Sequence, residues 1–427
     1  MPTKTYIHVV KKAAIAEHAS LEVDLSILPT PGKGQVRVRS ALFSITYNNL
    51  TYARMGSILK WWDAFPVPES LPAPYGDRSK YGIAPCWGWS EVLESKIDGI
   101  DVGMLLFGYL PLSGLPVDLQ LVAGDAEGHM VDVSEQRKTL MPIYNRYIIR
   151  DPDMRLSELS PERVEDMGRE AVYRPVWECG YLLNKFNLSD PFVHPAGHQG
   201  PPDQPWGKAQ GDLSSAVLII LSAGGRTARS FLDGLVHNRD QKTGPLALLA
   251  ITSTAIEAVV KSARFPMKVI SYKAIPEPES MIWVAEHRPA KVVVVDFGGR
   301  SNSQADLAEA LKRHLPTTDA FTVGVGNEPK ADTLEETIAK LRRASVLPNR
   351  VQMNTGPIRD AMVEKMGAEA YFPMVNREWT SFVERGNMED LRILWEERVE
   401  GESGIEGAWE TICKGELPSD AAFVYKL

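Results

Sequence analysis

Residues 216–228 read AVLIILSAGGRTA, and the rest of the chain is organised around how they are read. Ala216 to Leu221 is an unbroken apolar run, as expected of a strand buried on both faces. Ser222, Ala223, Gly224, Gly225, Arg226 and Thr227 form a loop that opens a helix-like stretch. Strand, glycine loop and helix in that order bring backbone N–H groups and a helix N-terminus to the place where a pyrophosphate can sit. Glycine has no Cβ, so a ligand can approach the backbone closely. The spacing is not GxGxxG, so the position in the strand–loop–helix unit carries the reading. A tight turn that binds nothing would use the same residues. Arg226 adds a guanidinium that can pair with a phosphate.

The same texture continues downstream. Apolar runs at 246–251, 267–272, 292–295 and 321–325 alternate with helix-like stretches at 255–263 and 305–315. In the second of these, Leu307, Ala310, Leu311 and Leu315 share one face. Strands alternating with helices of this length predict a doubly wound parallel sheet, an α/β Rossmann-type fold. The second run ends in Thr252 and Ser253, with no Asp or Glu there to hold ribose hydroxyls. Both can donate to a 2′-phosphate, which favours NADP(H) over NAD(H); both can equally cap the next helix. Lys261 follows Glu257 by about one turn, and either compensates for that acid or is simply solvated. Asp296 ends a buried run before Gly298 and Gly299, and either caps the following loop or faces the ligand cleft.

Upstream, the pattern is short strands. Gln35 to Arg39 alternates polar and apolar after the turn Pro31–Gly32–Lys33–Gly34, and similar runs recur at 89–93, 104–109 and 119–122. Runs of that size separated by Gly and Pro predict a small β-barrel. The proline- and aromatic-rich stretch 61–85 reads as an ordered insertion loop, and 188–212 as a second surface loop. Tyr47, Asn48, Asn49 and Tyr52 form a dense polar cluster at a strand–helix junction. A tyrosine hydroxyl there could donate to a developing enolate. The bland alternative is that the asparagines cap a helix and Tyr47 packs in the core. Trp61, Trp62 and Trp87, with Tyr147, could line an apolar pocket for an aromatic substrate; anchoring long loops onto the barrel is the competing role. The mixed charges of the helical tail 379–401 read as a solvated helix face or an oligomer rim.

The bulk numbers bound the function. A chain of 427 residues suits two domains, and 44% apolar with 24% charged residues is ordinary for a globular protein. A formal charge of -8 argues against nucleic acid as partner. Three scattered cysteines without CxxC spacing argue against a zinc ribbon or a disulfide scaffold and fit a cytoplasmic, reducing setting. His194 and His198 have HxxxH spacing but no acidic ligand nearby, so no metal is expected. No GxSxG elbow occurs.

Several stretches resemble the medium-chain dehydrogenase/reductase superfamily, in particular its zinc-free quinone and enoyl reductase branch and a subgroup of fungi and bacteria to which no function is assigned. They are SITYNNLTYARMG (44–56), KWWDAFPVP (60–68), APCWGWSEV (84–92), FGYLPL (107–112), LMPIYNRY (140–147), YRPVWECGYLL (173–183), LSAGGRTA (221–228) and VVVVDFGG (292–299). Their order matches as well. The resemblance implies a GroES-like catalytic domain over 1–180, with 355–427 returning to it, and a Rossmann nucleotide-binding domain over 181–354. It implies NADP(H), with Tyr272 touching the 2′-phosphate, and a metal-free site, because both sets of zinc-ligand cysteines are missing. The small conjugated or carbonyl-bearing substrate would belong to secondary metabolism. Dimers are common in the superfamily, so a homodimer is compatible with it. The loop departs from the family's usual Gly-Gly-Val-Gly. That leaves a competing reading: a relative that has lost redox chemistry and catalyses a cyclisation, isomerisation or carbon–carbon cleavage, or one that only binds.

Overall fold

A computed structural model describes residues 4–197, 206–254, 256–345 and 347–427. The chain forms two compact units, one of residues 1–175, 329–341 and 386–427, the other of 176–328 and 342–385.

The first unit is built on a closed six-stranded barrel. Its strands run Gln35–Ile45, Pro85–Ser95, Leu105–Pro111, Arg146–Ile148, His129–Asp132 and Val117–Ala123, and the last pairs back onto the first. Gly88 and Gly108 face each other across two strands. A Cβ on Gly108 would lie 2.5 Å from the Tyr147 ring, and one on Gly88 2.6 Å from Phe43 Cα. Glycine lets the Tyr147 ring and the backbone at Leu42–Phe43 come this close, and the barrel interior is filled rather than open. The C-terminal strand Ala421–Lys426 pairs antiparallel with the far end of Gln35–Ile45, and Arg392–Glu396 joins it in parallel.

The second unit carries the parallel sheet. Its strands are β1 Ala216–Leu221, β2 Ala247–Ile251, β3 Met267–Ile270, β4 Lys291–Phe297, β5 Asp319–Gly326 and β6 Arg350–Gln352. They lie in the order β3-β2-β1-β4-β5-β6, all parallel. The order reverses between β1 and β4, which is where open α/β sheets hold ligands. β1 and β2 are buried throughout, as their unbroken apolar runs require.

Four expectations are revised. The stretch 379–401 is not one helix: the helix Ala368–Glu384 ends, Gly386 turns with φ of +73°, and Arg392–Glu396 is a strand. Residues 355–385 pack with the sheet unit, not the barrel. There the Arg359 guanidinium forms a buried two-pronged pair with Glu178, Tyr371 donates to the same carboxylate, and Arg385 pairs with Asp233. Residues 329–341 belong instead to the barrel unit, held by Arg54 Nη1 to Asp332 at 3.1 Å and by the Leu334 N–H on the Ala13 carbonyl. The boundary near 180 falls inside the helix Pro161–Leu182, at 175/176.

Candidate functional site

At the sheet's crossover, the β1–helix loop is shaped by contacts with β2. Ser222 takes a left-handed turn with φ of +64°, and the Ala223 N–H bonds the Ile251 carbonyl at 3.0 Å. A Cβ on Gly224 would lie 1.8 Å from Thr254 Oγ1 and 2.7 Å from Thr252 Oγ1, so only glycine fits. Gly225 caps the helix Arg226–Asn238 and supplies no side-chain acceptor to its first turn. A helix start with no side-chain cap is the kind of place where an anion can bind. Beyond Ser222, a Cβ on Gly225 would meet nothing nearer than the Ser222 carbonyl, 3.3 Å away. The loop is therefore tight on its β2 side at Gly224 and open at Gly225.

Around this loop the ends of β2, β3 and β4 supply polar groups. Thr252 is buried, and its Oγ1 accepts from the Thr254 N–H at 3.0 Å, closing a local turn. The helix Glu257–Ser262 is capped by Ile256, so neither Thr252 nor Ser253 caps it. Ser253 and Lys261 are exposed. Tyr272 is half-buried; burial raises its hydroxyl pKa, opposed by the neighbouring Ser222. Asp296 caps its own loop: Oδ1 accepts from the N–H groups of Gly298 at 3.0 Å and Gly299 at 2.7 Å, and Gln304 donates to Oδ2. Burial raises its carboxyl above the usual range despite those donors. Ser222, Gly224, Thr252 and Tyr272 thus come together; Lys261 has no contact with them among those described.

The barrel unit holds the other expected residues, divided between two clusters. Trp62 and Tyr147 belong to the barrel core. Trp62 lies between Gly56 and Gly82, whose added Cβ atoms would fall 2.5 Å and 2.4 Å from its ring, and Tyr147 Oη donates to the Tyr109 carbonyl at 2.6 Å. Trp61, Trp87 and Tyr52 belong to a second cluster, with Phe65, Tyr109 and Tyr144. Trp87 Nε1 donates to Tyr52 Oη at 2.8 Å. The Tyr52 ring stands edge-on to Trp61 at 4.9 Å and to Tyr109 at 5.3 Å.

The helix Tyr47–Met55 explains why Tyr52 points there. Thr46 caps it, and Asn49 completes the box by accepting from the Thr46 N–H at 2.8 Å while donating to the Pro85 carbonyl at 3.0 Å. Asn48 sits in the first turn, its N–H on Thr46 Oγ1 at 3.2 Å. Tyr47 Oη donates to the Leu417 carbonyl at 2.9 Å. Of the four polar residues, Tyr52 alone enters the ring cluster.

Thr254, Tyr109 and Tyr144 were not singled out from sequence. Register would have given Tyr109: it pairs across from Trp87, one step along from the Trp89–Phe107 pair on the same face. Thr254 carries no such signal. Among the described residues, no group of three or more His, Cys, Asp or Glu could hold a metal. His194 Nδ1 accepts from the Ala196 N–H at 3.1 Å, and His198 lies outside the described residues. No described helix is long and apolar enough to cross a membrane.

A family model described as "Protein of unknown function (DUF2855)" matches residues 43–418. No curated protein matches the chain in sequence. Solved structures of similar fold include CurA in complex with NADPH from Vibrio vulnificus, at 13% identity and a TM-score of 0.50, covering 99% of this chain and 98% of that one. The mitochondrial 2-enoyl thioester reductase Etr1p/Etr2p heterodimer from Candida tropicalis is similar at 10% identity and a TM-score of 0.51, with full coverage of both chains at 100%. The CurF ER cyclopropanase from the curacin A biosynthetic pathway is similar at 11% identity and a TM-score of 0.50, covering 100% and 99%. The barrel unit and the parallel-sheet unit thus have the fold of these structures.

Proposed function

We propose that this chain, which belongs to the DUF2855 family, is an NADP(H)-dependent reductase of a small conjugated or carbonyl-bearing molecule. The observation that carries the reading is the Ser222–Thr227 loop at the β1/β4 crossover, packed on Thr252 and Thr254 at Gly224 and open at Gly225. A similar fold is known with NADPH bound, in CurA. The residues fit a dinucleotide: a helix N-terminus without a side-chain cap, Arg226 in its first turn, and the Tyr272 hydroxyl beside Ser222.

In this reading the cofactor supplies the hydride. Gly224, Gly225 and the first-turn N–H groups cradle the pyrophosphate, and Arg226 neutralises it. Ser253 and Tyr272 hold the 2′-phosphate, with Thr252 fixing the strand end and Lys261 adding positive charge. On the substrate side, Tyr52, Trp61 and Trp87 form the aromatic wall. Trp62 and Tyr147 support it from the barrel core, and Tyr47, Asn48 and Asn49 set the helix that presents Tyr52. No step uses a metal. A homodimer is part of the proposal, to be checked by light scattering.

The second reading, a non-redox reaction on the same fold, rests on the loop's departure from Gly-Gly-Val-Gly. The test is loss of NADPH absorbance with a panel of enones, quinones and aldehydes. The reductase reading expects oxidation of NADPH that depends on at least one substrate and is slower with NADH. Cofactor-independent conversion of such a substrate would favour the second reading instead.

A further inference from the structure

Resting on the reading of the barrel unit as the substrate-binding part of a reductase, we infer that its ring cluster binds a flat, neutral, conjugated carbonyl compound, with Tyr109 Oη donating a hydrogen bond to the carbonyl oxygen. Tyr109 is 0% exposed, and its hydroxyl has no hydrogen-bond partner among the described residues. Trp61 Nε1, in the same cluster, is buried and lacks a partner in the same sense. Buried donors are ordinarily paired, because leaving one without an acceptor is costly. Two in one cluster are donor capacity that the protein's own groups leave unused.

The surroundings specify the ligand. Tyr109 leaves the barrel on the face opposite Leu106 and Leu110, which lie in the barrel core. Trp87 stands beside it on the neighbouring strand, with centroids 5.5 Å apart, and Tyr144 packs at 4.7 Å. Trp87 and Tyr144 are half-buried and form the rim. Ring faces and edges at these spacings suit a planar π-system. The cation on the cluster, Arg137 over Phe65 at 4.6 Å, is paired with Asp132 at 3.0 Å, so the charge is matched without a ligand. A neutral acceptor is what remains to be bound. Burial, and after it the phenols of Tyr52 and Tyr144, push the Tyr109 hydroxyl well above its ordinary value, so it keeps its proton to donate. Tyr144 sits on the short turn Pro142–Asn145, at the half-buried side of the cluster.

The test uses the full chain with saturating NADP⁺, benzylideneacetone, and the diene in which a methylene replaces its carbonyl oxygen. Calorimetry should show wild type preferring the ketone about tenfold, and Tyr109→Phe losing that preference while binding the diene as before. Because the hydroxyl removed has no protein partner, the variant is expected to fold and to keep its NADPH-induced thermal shift. A second readout needs no variant: the infrared carbonyl stretch of bound ketone should shift to lower frequency. An unshifted stretch, a preference retained in Tyr109→Phe, or no binding of either compound by wild type overturns the inference. Failure of wild type to respond to NADPH would instead overturn the reductase reading on which it rests.

Discussion

The loop of the sheet unit and the ring cluster of the barrel unit are built in opposite ways. The loop is made of backbone: a strand end, two glycines and a helix start, all contiguous from Leu221 to Arg226. The cluster is made of side chains from separate segments, Tyr52, Trp61, Trp87, Tyr109 and Tyr144. A backbone site is written in local order, so a single residue change at its tight point should remove it. A side-chain site is distributed, so each member should contribute modestly, and the large costs should fall on the core that supports it.

Three variants sharpen that contrast. The largest effect is expected from Trp62→Ala, which empties a slot between Gly56 and Gly82 in the barrel core. Removing a buried tryptophan costs about 3–5 kcal/mol, readable in urea unfolding. A cost below about 1 kcal/mol would mean that Trp62 is not the support it looks to be.

Next comes Gly224→Ala, whose methyl would lie 1.8 Å from Thr254 Oγ1. The loop must shift, and NADPH affinity should fall by at least tenfold, about 1.4 kcal/mol, in calorimetry. Unchanged affinity would break the claim that the loop's tight point shapes the cofactor site.

The smallest effect is expected at Asp296. Burial raises its folded carboxyl pKa, so the folded chain holds that proton to higher pH than the unfolded chain does. The stability this gives is complete below the unfolded value and is lost as pH rises through the folded one. Asp296→Asn cannot ionise, so its melting temperature should gain on wild type between about pH 4 and pH 7. A constant difference across that range would show that the Gly298 and Gly299 N–H groups fully offset the burial.

What could be read from sequence follows the same divide. The doubly wound sheet was legible because β1, β2 and β4 are buried on both faces and therefore read as continuous apolar runs. The loop's place was legible, but its closest neighbour, Thr254, was not, since a contact between the ends of two strands leaves no local pattern. In the aromatic stretch, Trp61 and Trp62 are adjacent in sequence yet enter different clusters, because successive side chains of a tight turn diverge. Asn49 read as a candidate substrate contact or a cap, and its carboxamide turned out to bond the Thr46 N–H and the Pro85 carbonyl. The strand Arg392–Glu396 was hidden by its charges: as an edge strand it leaves Trp395 partly exposed and presents polar residues to water.

The central claim is that the Ser222–Thr227 loop binds a phosphorylated dinucleotide. Its most direct test is a thermal-shift titration of the whole chain with NADPH and with NADH. A ligand that binds only the folded state stabilises it by RT ln(1 + [L]/Kd), about 2.7 kcal/mol at a hundredfold excess over Kd. The account predicts a clear rise with NADPH, a smaller one with NADH, and a reduced rise with NADPH in Gly224→Ala. No rise with either cofactor at millimolar concentration would contradict it.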